Sequence, residues 1–178
     1  MAQKDEIARV FERHLSRYGY AKTTLDEVAR EMHISKKTIY THFDGKRDIY
    51  AYLVDGMAAS EKTKLAAAVA TLPTYAARID AVLSYVLQAG RTHINETSQA
   101  EWMQEFEIAG DAFRKANGEL IRELVQAGID AGEFSNGDAT LVEKMASAMI
   151  VEYLVMVNAD PTYDHDTELL ERVRRFIS

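Results

Sequence analysis

From Asp5 the apolar residues Ile7, Val10, Phe11, Leu15 and Tyr18 recur at the spacing of one helical face, and Gly19 closes that first helix. Thr24 then precedes Leu25-Asp26-Glu27, and Thr-x-x-Glu is a capping box that opens a second helix, with Leu25, Val28, Ala29 and Met32 inward. That helix is short, because His33-Ile34 interrupts it. Ser35 caps a third helix predicted over Lys36 to Phe43, with Ile39 and Phe43 on its buried side. Asp44-Gly45 breaks it, and Asp44 is placed to cap a fourth helix from Lys46 to about residue 70.

The rest of the chain reads as longer helices. Pro73-Thr74 separates a helix near 75–94 from the one before it, and two more are predicted over 99–113 and 114–131. Gly132 serves as a C-terminal stop, Asp138 caps a helix over 139–158, and Asp166 or Thr167 starts a last one ending near 177. No stretch alternates with period two for long enough to predict a strand. The pattern predicts an all-α chain of about nine helices. An N-terminal three-helix domain holds a helix-turn-helix motif over residues 24–43, and a C-terminal helical bundle follows. The domain boundaries predicted are 1–48 and 49–178.

Composition narrows the chemistry. The 178 residues include no cysteine, which removes disulfides, thiolate metal sites and cysteine nucleophiles. Two prolines and nine glycines leave few breaks, in keeping with long helices. The first residues, Met-Ala-Gln-Lys-Asp-Glu, are charged where a signal peptide needs an apolar run. The most apolar segment, Met145 to Val157, is short and interrupted by Glu152, so the expectation is a soluble cytoplasmic protein without membrane contact. No Glu-x-x-His, His-Glu-x-x-His, Gly-rich phosphate loop or Gly-x-Ser-x-Gly occurs. The reading is therefore a non-enzyme with no metal and no cofactor.

Charge changes the picture most. The formal net charge is −7, yet residues 1–50 carry ten Lys/Arg against eight Asp/Glu and three of the five histidines. Phosphate contact needs a local cationic surface rather than a basic total. That surface is found on the third helix. Lys36, Lys37, Thr38, Tyr40, Thr41 and His42 are its outward residues, and none of the six is a carboxylate. Ammonium, hydroxyl and imidazole groups can donate to phosphates and reach base edges in a major groove. Lys46 and Arg47 open the next helix, where backbone N–H groups and an ammonium can share one phosphate. Two local requirements support the motif. Ala29 is small enough for helices to cross closely, and His33 sits at a turn that favours positive φ, which histidine adopts more readily than most residues.

The stretches Thr-Thr-Leu-Asp-Glu-Val-Ala at 23–29 and Ile-Ser-Lys-Lys-Thr-Ile-Tyr-Thr-His-Phe at 34–43, with Lys46 three residues on, resemble the tetracycline-repressor (TetR) family of bacterial regulators. The resemblance covers about residues 5–60. It implies a homodimer that binds a palindromic double-stranded DNA operator and a C-terminal domain that takes a small-molecule effector. Carried over position by position, it places Thr24, Lys37, Thr38, Tyr40, Thr41, His42 and Lys46 at DNA, with Tyr40 and Lys46 as phosphate contacts. His33 departs from the glycine or asparagine common at that turn.

Two expectations concern the C-terminal domain. Helix 139–158 is apolar around much of its circumference, so pairing with 114–131 across a twofold axis predicts a four-helix dimer interface. Tyr75, Tyr85, His93, Trp102, Met103, Phe106, Met149 and Tyr153 are the aromatic, histidine and methionine positions that could line an effector pocket. The competing functional class is a helical adaptor whose N-terminal unit binds protein instead of DNA.

Overall fold

A computed structural model describes the backbone of residues 2–96, 99–135 and 137–177, with side chains throughout except at 93, 95, 96 and 99–107. Among these residues there are eight helices and no strand: α1 (Gln3–Lys22), α2 (Leu25–Glu31), α3 (Lys36–Tyr40), α4 (Lys46–Val69), α5 (Tyr75–Glu96), α6 (Gln99–Asp130), α7 (Ala139–Ala159) and α8 (Asp166–Ile177). No helix among the described residues is long and apolar enough to cross a membrane. The chain forms two compact units, one up to Met57 and one from Ala58 onward, so the first turns of α4 belong to the first unit and its remainder to the second.

Within the first unit the apolar stripe of α1 supplies Ile7, Val10 and Phe11 to a core completed by Val28 and Ala29 of α2, Ile39 of α3, Phe43, and Ile49 of α4. Charged pairs fix α2 on α1. Glu31 accepts from Arg13 and lies 2.7 Å from Nε2 of His14, and these bonds hold its carboxyl below the usual carboxylate range. Gly19, at φ 77°, interrupts α1, but helical turns resume to Lys22, so it kinks the helix instead of ending it as the sequence predicts.

The second unit is a helical bundle. Its core takes Leu65 and Val69 from α4, Val82, Leu83 and Leu87 from α5, Leu120, Ile121 and Val125 from α6, Ile150, Leu154 and Val157 from α7, and Val173 and Ile177 from α8. Capping follows the local sequence. Asp138 accepts from the N–H groups of Thr140 and Leu141, and Gly132, at φ 75°, ends α6. The chain then turns so that the Glu133 carboxylate accepts the open N–H groups of Tyr75 and Ala76 at 2.8 and 2.7 Å, completing the start of α5. A close approach is made at Gly118, where a Cβ would lie 2.3 Å from Oε1 of the buried Glu143.

One prediction needs correction. The helices expected over 99–113 and 114–131 are a single helix, α6, so eight helices are described where about nine were expected. No proline or capping residue separates the two stretches, and Asp111 pairs with Arg114 across the supposed junction.

Candidate nucleic-acid interface

The turn between α2 and α3 is built from local signals. Thr24 accepts from the Glu27 N–H while the Glu27 side chain accepts from the Thr24 N–H, the reciprocal box the sequence predicts. Met32 closes α2, and His33 adopts φ 54°, the left-handed conformation expected of it. Ile34 then donates to the Ala29 carbonyl at 3.0 Å, and the Ser35 side chain accepts from the Thr38 N–H to start α3. Ala29 and Ile39 are both buried, consistent with a close crossing plugged by one isoleucine. The helix itself stops at Tyr40, shorter than predicted, although Phe43 N–H still bonds the Ile39 carbonyl at 3.1 Å.

This geometry displays the predicted residues unequally. Lys37, Tyr40 and Thr41 are exposed, with Tyr40 at 51% exposure. Lys36 is exposed too, but its ammonium donates to Asp26 of α2 at 2.8 Å, which pushes its pKa up. Thr24 is exposed and its hydroxyl donates to Glu27 at 2.8 Å. Thr38 is half-buried with its hydroxyl 2.9 Å from that of Ser35, and Thr41 donates to the Thr38 carbonyl at 2.7 Å. His42 is half-buried, its Nε2 3.1 Å from Oε1 of Gln3 at the start of α1.

Lys46 opens α4 half-buried. Its ammonium donates to the Ala21 carbonyl at 3.3 Å and lies 4.2 Å above the Tyr20 ring, and burial pushes its pKa down. Burial likewise pushes the Tyr20 phenol up, against the opposing charge of Arg47. At this end of α4, Asp44 donates its N–H to the Asp48 carboxylate at 3.0 Å. Sequence reasoning missed Asp26 and Gln3, which act from other elements on Lys36 of α3 and on His42 just after it. The signal available for Asp26 was its place on the exposed side of α2.

Of the residues expected to line an effector pocket, the four with described side chains do not share one cavity. Met149 and Tyr153 share an open groove of about 420 Å³ with Ala148, Glu152, Met156 and Leu169. Tyr85 faces outward and donates to Glu61 at 3.0 Å, and Tyr75 starts α5 beneath Arg78. The Tyr153 hydroxyl serves a polar network, donating to Asp166 at 2.6 Å and accepting from Arg91 and the His165 N–H. The side chains of His93, Trp102, Met103 and Phe106 lie outside the described residues. Among the described residues no three histidine or carboxylate groups come together to hold a metal ion.

Residues 10–53 match the model of the tetR family of bacterial regulatory proteins. Over 35 residues the chain is 49% identical to the biofilm operon icaADBC HTH-type negative transcriptional regulator IcaR of Staphylococcus aureus strain Newman. That match covers 20% of this chain and 19% of the relative, so the chain spans about a fifth of the length of the curated relatives it matches. Solved structures are similar over nearly the whole chain. RolR without ligand has a TM-score of 0.73 at 13% identity, covering 98% of this chain and 90% of that one. Thermus thermophilus FadR with lauroyl-CoA has 0.70 at 14%, covering 98% and 93%. Bacillus subtilis FadR with stearoyl-CoA has 0.62 at 16%, covering 98% and 97%. At these identities the likeness shows the fold.

Proposed function

We propose that this chain, whose residues 10–53 match the model of the tetR family of bacterial regulatory proteins, is a DNA-binding transcriptional regulator, not an enzyme. It is a homodimeric repressor that leaves a palindromic operator when a small-molecule effector binds the second unit. The observation that carries the reading is the exposed Lys37, Tyr40 and Thr41 on a short helix held by a capped turn. They offer an ammonium and two hydroxyls, and the acid held against α3, Asp26, is already engaged by Lys36. Those groups suit a phosphate-lined groove.

The dimer reading draws support from the second unit. Leu141, Met145, Val155 and Met156 of α7 are exposed large apolar side chains, and the groove beside them continues to Leu169 of α8. A second copy would remove this surface from water. The 114–131 stretch expected to pair with α7 carries exposed Arg114, Lys115, Arg122 and Glu123, and Leu169 of α8 lines the groove beside α7, so both helices are candidates to share the interface with it. Two paired reading helices then meet half-sites about one helical turn apart. An effector that favours one arrangement of the pair shifts the population toward it. The acyl-CoA molecules in the two FadR structures make acyl-CoA the first effector to try.

The test is a gel shift on the DNA upstream of the coding gene, repeated with fragments selected by the protein from a random library. Tyr40→Ala together with Lys46→Ala should weaken binding to all sequences by about 10-fold or more, whereas Thr41→Ala should change site preference more than overall affinity. A helical adaptor would show no sequence preference and no steep salt dependence, and that result overturns the reading.

A further inference from the structure

Three consecutive residues fasten the start of α1 to the segment that follows the reading helix and to α4. Gln3 meets His42 at 3.1 Å. The Lys4 ammonium lies 4.9 Å from the Phe43 ring and 4.7 Å from the Tyr52 ring. Asp5 accepts from the Tyr52 hydroxyl at 2.6 Å. Gln3 precedes the stretch matched by the family model, which begins at residue 10. An amide Oε1 can only accept, so Nε2 of His42 carries the hydrogen in this contact.

An outside group can then meet the His42 ring only at Nδ1. His42 lies beyond the C-terminal end of α3, and most protein–DNA hydrogen bonds go to phosphate and sugar, so phosphate is the partner assigned to it. In the neutral ring Nδ1 is a lone pair and repels phosphate, whereas in the imidazolium it is a donor. We propose that Gln3 is a positioning residue for DNA contact: by taking Nε2–H of His42 it leaves Nδ1 for a backbone phosphate, so that this contact forms with the imidazolium and draws one proton from solvent.

The inference rests on the DNA-binding reading above. Among the charged groups at the start of α1 and in the segment after α3, Lys4 lies by two rings, Asp5 accepts from Tyr52, Asp48 accepts from the Asp44 N–H, Lys46 donates to the Ala21 carbonyl, and Asp44 and Arg47 are exposed. Without Gln3 the neutral ring is free to carry its hydrogen on Nδ1, and the phosphate bond no longer needs the extra proton.

The test measures affinity for a fragment that the wild-type chain selects from a random library, across the pH range in which histidines titrate. Wild type should bind about 10-fold tighter at the acid end than at the alkaline end. Gln3→Leu and His42→Ala should both flatten that dependence to within about twofold, and the double variant should add nothing to His42→Ala. Thermal melting of each variant checks that the first unit is intact; a Gln3→Leu chain that melts early yet keeps the wild-type pH slope also counts against the proposal. An unchanged slope in Gln3→Leu, or a slope that persists in His42→Ala, overturns the role of Gln3 and leaves the DNA reading standing. A wild-type chain that selects no sequence overturns both.

Discussion

The two units differ in what they leave uncovered. In the first, the exposed large side chains are mainly tyrosines, Tyr18, Tyr40 and Tyr52, whose rings end in a hydroxyl. In the second they are mainly aliphatic or thioether groups, Leu141, Met145, Val155, Met156, together with Phe176. A tyrosine at the surface suits a partner that is wet and hydrogen-bonding, whereas an aliphatic stripe on one helix suits a partner as dry as itself. The contrast teaches that one chain can address two unlike partners by the finish it gives its surface, while both units bury ordinary Ile, Leu, Val and Phe inside.

The contrast is broken most severely on α7. Leu141→Glu combined with Met145→Glu should weaken self-association by more than about 1000-fold, read by sedimentation equilibrium, while leaving thermal melting of the monomer nearly unchanged. If the double variant remains a dimer, the apolar stripe is not the joining surface. The next largest effect belongs to the first unit. Ile39 is fully buried between its helices, and Ile39→Ala should cost about 2–4 kcal/mol in denaturant unfolding, monitored by the fluorescence or NMR signals of that unit. Loss of stability confined to the second unit would contradict the division described.

The smallest effect sharpens the picture of how α2 is held. The Glu31 carboxyl is lowered by its bonds to Arg13 and His14. A lowered folded-state pKa contributes stability that is present above the unfolded carboxylate range and is lost as pH falls through the folded value. Glu31→Gln should therefore lower the melting temperature slightly at neutral pH, and the difference from wild type should vanish in acid. Because the pair is at the surface, added salt should shrink it too.

What could be read from the chain divides along the range of the interactions. The Thr24–Glu27 box, the left-handed His33, the Ser35 and Asp138 caps and the Gly132 stop are set by neighbours within a few residues, and the structure carries each of them. Interactions spanning elements were not legible. Nothing in the spacing says that Asp26 would hold Lys36, that Ala21 would receive Lys46, or that Gln3 would meet His42 across 39 residues. The body shows the same limit: helical period places Tyr85 on a face, but which face meets solvent depends on the neighbours it packs against, and it faces Glu61. The continuity of α6 was missed because a helix that nothing interrupts carries no mark of where a second one would begin.

The carboxylate of Glu133 has a consequence for how the protein comes into being. It supplies the closing bonds of a helix that starts 58 residues earlier in the chain. As the polypeptide leaves the ribosome, α5 emerges with its leading amides satisfied by water and by Thr74, and its finish must wait for the turn after α6. The start of α5 therefore receives its last two bonds only after the whole of α6 has been made.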